Sequence, residues 1–268
     1  MFKNVIVGVD GRANGRDAIA LALARSLRDP DGKLSFAHVH HGELADEREE
    51  SHKLLEQARQ EADVDAQLLS VVSENPGRGL HEQAEEEDAD LLVVGTCSRG
   101  AFGRVMLGDD TRAALNGAPC AVAVASLGYA EHPAPIGRVG VAYNGSPESI
   151  AALALARELA ATGATVSALE VVSLPPAAYG GMVAPGIGET IEAMTQEATA
   201  RMKELPDVDG RAVYGLAGEE LAAFGDEVDI LVIGSRGYGP IRRLVLGSTS
   251  DYLQRHARCS LLVLPRPA

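Results

Sequence analysis

The chain alternates short apolar runs with longer stretches in which apolar residues recur every three or four positions. The second half displays this most plainly. GRVGVAY, ATVSALEVV, RAVYGL, DILVIG and CSLLVLP are runs of strand length, rich in Val, Leu and Ile. Between them lie SPESIAALALARELAATG, closed by Gly163, then ETIEAMTQEATARMKEL, a short helical stretch near 218–225, and STSDYLQRHA. Short apolar strands separated by helix-length segments predict βα units and a parallel sheet covered by helices on both faces. In such sheets ligands sit beyond the carboxyl ends of the strands, where the winding direction reverses.

The pattern occurs twice. Residues 90–125 align with 229–264 at a constant offset of 139 without a gap, and 11 of these 36 positions are identical. They include Asp90/Asp229, Gly95/Gly234, Gly108/Gly247 and Cys120/Cys259. The amino ends match too, VIVGVDGRANGRDAIALALARSL against RVGVAYNGSPESIAALALARELA. Two homologous halves follow, 1–128 and 136–268, joined by the Pro- and Gly-containing SLGYAEHPAPIGR at 126–138. The expected fold class is α/β: two tandem doubly wound domains, each a five-stranded parallel sheet with helices on both faces.

Composition narrows the function. At 46% hydrophobic the chain can bury a core, and no apolar run reaches the ~18 residues of a membrane span. The start, MFKNVIVGVD, has no signal-peptide layout, and three scattered cysteines form no disulfide framework. A soluble cytoplasmic protein is expected. A formal charge of -14 argues against generic nucleic-acid binding. Within this acidic chain, Arg236, Arg242, Arg243, Arg255 and Arg258 stand against Asp251 alone over 234–258. A small positive island suits a small anion.

That island contains GSRGYGPIRRLVLGSTS, residues 234–250, between a strand and a helix. Gly234 leaves the strand where a side chain would block a ligand. Gly237 and Gly239 can take positive φ and turn backbone N–H groups inward. Gly247, Ser248, Thr249 and Ser250 lead into a helix whose amino end favours an anion. No Gly-Lys-Ser/Thr closes the loop, so it is not a Walker P-loop. Its place after a late strand also separates it from the dinucleotide fingerprint.

A tandem of such βα domains, with the spacing Gly234-x2-Gly237-x9-Gly247-Ser248, resembles the universal stress protein family over essentially the whole chain. The resemblance implies ATP, with Mg²⁺ as its companion ion, and a nucleotide-dependent sensor or regulator in stress response. It places the phosphates on the glycine backbone and Ser248, and the ribose or metal near Asn144. The adenine falls against backbone around Val171 and Val172. The family usually has Asp where Asn144 stands, so a charge useful for metal contact is missing. It also implies that the last strands, in VAVAS and LLVLP, pair inside one chain as a built-in dimer, with a homo-oligomer as a further option.

The first half departs from the motif. Its aligned positions are Gly95, Ser98, Gly108 and Asp109, with Asp110 adjacent. Ser98 loses the easy positive φ, and two carboxylates in the cradle repel a triphosphate. Asp10, in GVDG, keeps the family's usual acid and is the first half's candidate contact.

Other features read more plainly. His38, His40 and His41 end a strand without Cys or carboxylate at ligand spacing, so polar strand-end roles are favoured over metal. Cys120 and Cys259 recur at equivalent places and read as buried core, while Cys97 is reactive if exposed. The Pro/Gly-rich 173–189 is either a surface loop or a lid beside the adenine strand. The charged 42–63 and 81–90 read as solvated helix faces. No nucleophile elbow, paired acid and base, or Walker lysine supplies a catalytic set. A slow ATPase and an interaction module that binds no nucleotide are the alternative readings.

Overall fold

The computed structural model describes residues 1–42, 44–96, 109–161, 163–173, 186–235, 244 and 247–267, with backbone only at 109 and 110. The first half runs β1 (Phe2–Gly8), α1 (Ala13–Ala22), β2 (Arg28–His40), α2 (Ala45–Ala62), β3 (Gln67–Val72), α3 (Pro76–Glu86), β4 (Leu91–Gly95), α4 (Asp109–Leu115) and β5 (Ala121–Ala125). The second runs β6 (Arg138–Ala142), α5 (Pro147–Ala160), β7 (Thr165–Val172), α6 (Ile187–Lys203), β8 (Asp209–Tyr214), α7 (Ala217–Phe224), β9 (Ile230–Gly234), α8 (Ser248–His256) and β10 (Ser260–Leu264).

Local chemistry starts several of these elements. Ser146 caps α5 by accepting the Ser149 N–H at 3.2 Å, and Asn75 caps α3 by accepting the Arg78 N–H at 3.0 Å. Each cap is followed by proline, whose missing N–H costs nothing in a first helical turn.

The strands form one sheet in the order β3-β2-β1-β4-β5-β10-β9-β6-β7-β8. Neighbours are parallel except β5 and β10, which pair antiparallel with Leu262 opposite Ala123. The α/β class with parallel strands and helices on both faces is therefore as the sequence predicts. The two five-stranded sets are contiguous rather than separate sheets. Every residue of β5 and β10 is buried, which accounts for their unbroken apolar composition.

Strand alternation divides the core between the two faces. Val5 and Val7 pack in a cluster with Leu21 of α1, Leu55 of α2, Leu159 of α5 and Met202 of α6. Ile6 and Leu92 pack in the other cluster with Leu80 of α3, Leu115 of α4, Phe224 of α7 and Leu253 of α8. Burial of each such side chain contributes roughly 1.5–3 kcal/mol. The linker is fastened rather than loose: the buried Asp17 carboxylate of α1 accepts the N–H groups of Gly128 and Ala130 at 2.9 and 2.8 Å.

Candidate functional site

The winding reverses between β1 and β4 in the first half, and between β6 and β9 in the second. A cavity lies beyond the strand ends at each reversal, as expected for open α/β sheets. The second-half cavity, about 540 Å³, is walled by Tyr143 and Asn144 after β6, Val171 of β7, Gly234 and Ser235 at the end of β9, and Gly247 to Ser250. Thus Asn144, Val171, Gly234, Gly247, Ser248 and Thr249, far apart in sequence, line one volume.

The lining of this cavity is chemically mixed. Leu169, Val171, Ala217, Leu221 and Ile233 are its apolar members. Asn144, Ser146, Ser235 and the start of α8 are polar ones. Helix α8 begins at Ser248, one residue earlier in the motif than a capping role for the Ser-Thr-Ser run would require. Gly247 is its N-cap, in extended backbone and without a side chain to accept first-turn amides. The first-turn N–H groups of a helix have no acceptor within it, so this end favours an anion. Ser235 adds a buried hydroxyl with no hydrogen-bond partner among the described residues. An orphaned buried hydroxyl is costly unless a ligand or water meets it.

Among the wall residues that sequence reasoning missed, Ser235 and Glu148 carry the most chemistry. Ser235 follows Gly234 directly, and its place in the motif is the signal that could have found it. Glu148, in the first turn of α5, brings a buried carboxylate to the cavity, 3.8 Å from the Arg266 guanidinium. Its signal is the cap itself: a first-turn position after Ser146 points towards the same strand ends.

Gly234 has a further reason to be glycine. A Cβ there would lie 2.6 Å from Glu148 Cβ and 3.0 Å from its carbonyl carbon, so α5 presses directly on the strand end. Gly95 repeats this against the Asn14 carbonyl oxygen at 2.1 Å, which accounts for the pair's identity in both halves.

Val172 does not line the cavity. Strand alternation turns its side chain to the opposite face from Val171, and its carbonyl accepts the Gly215 N–H at 3.1 Å. Asn144 fixes its own loop, with Oδ1 accepting the Ser146 N–H at 3.1 Å. Asp10 does the same in the first half, accepting the Arg12 N–H at 3.0 Å. Gly237, Gly239, Arg236, Arg242 and Arg243 lie outside the described residues, as do Cys97, Ser98, Gly108 and 174–185 of the proposed lid.

The first-half cavity, about 300 Å³, is lined by Asp10, Arg12, Asn14, His38, His41 and Thr111 among others. Of its histidines, His38 joins a polar network with His40 of the same strand. His38 Nδ1 lies 3.0 Å from Ser51 Oγ, Ser70 Oγ donates to Ser51 Oγ at 2.9 Å, and His40 Nε2 lies 2.9 Å from Ser70 Oγ. Burial lowers the pKa of His38, and neighbouring His40 lowers it further against a smaller opposing pull from Asp10. Cys120 and Cys259 are buried thiols whose pKa is pushed up to about 12, chiefly by desolvation.

Fold and site together define a doubly wound tandem α/β protein with a crevice at each of the sheet's two switch points. The universal stress protein family pattern matches residues 1–126 and again 135–265, so the chain belongs to that family. Universal stress protein Rv2005c of Mycobacterium tuberculosis is similar, with 28% identity over 97% of this chain and 96% of its own. Among solved structures, a putative universal stress protein from Pseudomonas aeruginosa superposes with a TM-score of 0.69 at 16% identity, covering 98% of this chain and 93% of that one. One from Archaeoglobus fulgidus gives 0.62 at 18% identity, covering 98% of each chain. Among the described residues, no helix is long and apolar enough to cross a membrane.

Proposed function

We propose that the second half binds ATP and that the protein is a nucleotide-dependent sensor or regulator in stress response. One observation carries this reading. The start of α8, with its side-chain-less cap Gly247, lines the same cavity as Ser235 and the apolar Val171 and Leu221. A planar base suits the apolar wall with Val171 and Leu221. A phosphate chain suits the start of α8, where a helix terminus supplies donors without a side chain in the way.

The residues fit the ligand, each with a distinct task. Ser248 and Thr249 offer hydroxyls beside the helix amides, Ser235 a third hydroxyl, and Asn144 a neutral polar group towards the ribose. Mg²⁺, when it accompanies the nucleotide, neutralises part of the triphosphate charge; Glu148 and Asn144 are the oxygen donors on this wall. Cytoplasmic residence and an intramolecular pseudo-dimer, built on the β5–β10 pairing, belong to the same reading.

Titration calorimetry with ATP, with and without Mg²⁺, tests it. The wild type is expected to bind, and the double variant Gly247→Val, Ser248→Asp to lose binding. A bulky cap and a carboxylate would then occupy the anion's place. Unchanged affinity in that variant would put the site elsewhere, and no heat from the wild type would leave the protein an interaction module. Phosphate release on incubation with ATP would move the reading towards a slow ATPase.

A further inference from the structure

Leu244 stands between Gly234 and Gly247 in sequence, both of which line the second-half cavity, yet its bonds go to the other half. Its N–H donates to the Ala118 carbonyl at 3.0 Å, and its carbonyl accepts the Gly117 N–H at 2.8 Å. Its side chain is fully buried, in the same apolar cluster as Leu115, Ala118 and Val122 of the first half. A second link lies next to it. Arg112 Nε of α4 stands 3.6 Å from Asp251 Oδ1 of α8, between residues that occupy equivalent places in the repeat. Both Leu244, just before α8 in sequence, and the helix itself are therefore tied to the first half.

We infer that Leu244 is a positioning residue for the second-half site, and that the first half is the anchor which holds Gly247 and the start of α8 in place. The inference rests on the ATP reading of that site. A buried backbone pair with a buried side chain between its two hydrogen bonds fixes the chain in one register. With Leu244 held three residues before it, Gly247 and the first amides of α8 have less freedom, so less ordering remains for the ligand to impose. The anchor also leads back to the other cavity. Gly117 and Ala118 follow α4, whose Thr111 lines the first-half cavity and donates to the Gly95 carbonyl at 3.0 Å. This gives a half with an acidic, degenerate motif a task that needs no nucleotide of its own.

The test measures ATP affinity and unfolding stability together, on the full chain, for the wild type, Leu244→Ala, Leu244→Met and Leu55→Ala. Leu55 is an equally buried leucine of α2, remote from the cavity, and reports what loss of core packing alone does. Leu244→Ala is expected to weaken ATP binding by about 10- to 100-fold, the scale set by misplacement of binding groups. Leu244→Met should restore most of it, and Leu55→Ala should leave affinity unchanged at comparable loss of stability. If the wild type binds ATP and the two alanine variants retain equal affinity, the positioning role is wrong while the ATP reading stands. If the wild type binds no ATP, the reading itself fails. Should Leu244→Ala not fold, amide exchange on the wild type decides. ATP is expected to slow exchange across 111–118, and protection confined to the second half overturns the inference.

Discussion

Asp229 grips Arg138 twice, accepting its backbone N–H at 2.8 Å and its guanidinium at 2.7 Å. It also accepts the Gly137 N–H at 2.9 Å, so one carboxylate at the start of β9 fixes the start of β6. Asp90 repeats this in the first half, accepting the N–H groups of Lys3 and Asn4 at 2.8 and 3.0 Å. The Asp90/Asp229 identity is thus a strand-registering clamp beneath each switch point.

Burial opposes the Asp229 charge, but its hydrogen bonds from Arg138 and the two amides together lower its pKa. A depressed carboxylate stabilises the fold above its unfolded pKa, and that contribution is lost as pH falls through the folded value. Asp229→Ala should cost about 2 kcal/mol at pH 7, within the range for hydrogen bonds to a charged group. The wild-type advantage should shrink below about pH 4, near the unfolded value for Asp. Urea unfolding of both proteins at pH 7 and pH 3 checks this; a gap that does not change with pH counts against the charged clamp.

The three glycines Gly234, Gly95 and Gly188 should respond to alanine with different signs. At Gly234 and Gly95 the new methyl meets helix atoms at 2.6 and 2.1 Å, so overpacking should cost about 1–3 kcal/mol, more at Gly95. At Gly188, inside α6 with nothing within 4 Å, alanine should stabilise by about 0.5–1 kcal/mol. Denaturant midpoints for the three variants test the ordering.

Burial keeps the Cys120 and Cys259 thiols protonated, with pKa values of about 12. At pH 8 neither should be alkylated by iodoacetamide in the folded protein, while both should react in 6 M guanidinium. Peptide mapping by mass spectrometry separates them from Cys97. Alkylation of either in the native state would show that the β-strand starts they precede open readily.

A His38 pKa lowered by burial makes the folded state resist protonation there. That contribution is present above the unfolded value, about 6.5, and is lost as pH falls through the folded one. His38→Gln should therefore flatten the decline in melting temperature between pH 7 and pH 5. Parallel melting curves for wild type and variant would rule out this assignment.

Much of this architecture is legible in the residues because it is local or repeated. Apolar runs of strand length, helix-length amphipathic spacers and the constant offset of 139 carry the α/β class and the two halves. The motif around Gly234, Gly247 and Ser248 also marks a strand end at which a cavity lies. Less legible were Glu148 and Ser235, which join the wall only through tertiary packing. Val172 was named for its backbone, and its side chain turns to the other face of the strand from Val171.

By itself the sequence determined which segments become strands and helices, that the unit is used twice, and which copy keeps the Gly-x2-Gly-x9-Gly-Ser spacing. Periodicity and turn chemistry act over a few residues, so they can be read directly. Tertiary structure alone decided that β5 meets β10 antiparallel in one sheet, that Gly234 answers to helix packing, and that Leu244 bonds to Gly117 and Ala118 of the other half. These relationships join residues more than eighty positions apart, and no local preference encodes them. They follow from burying the apolar faces of both halves together.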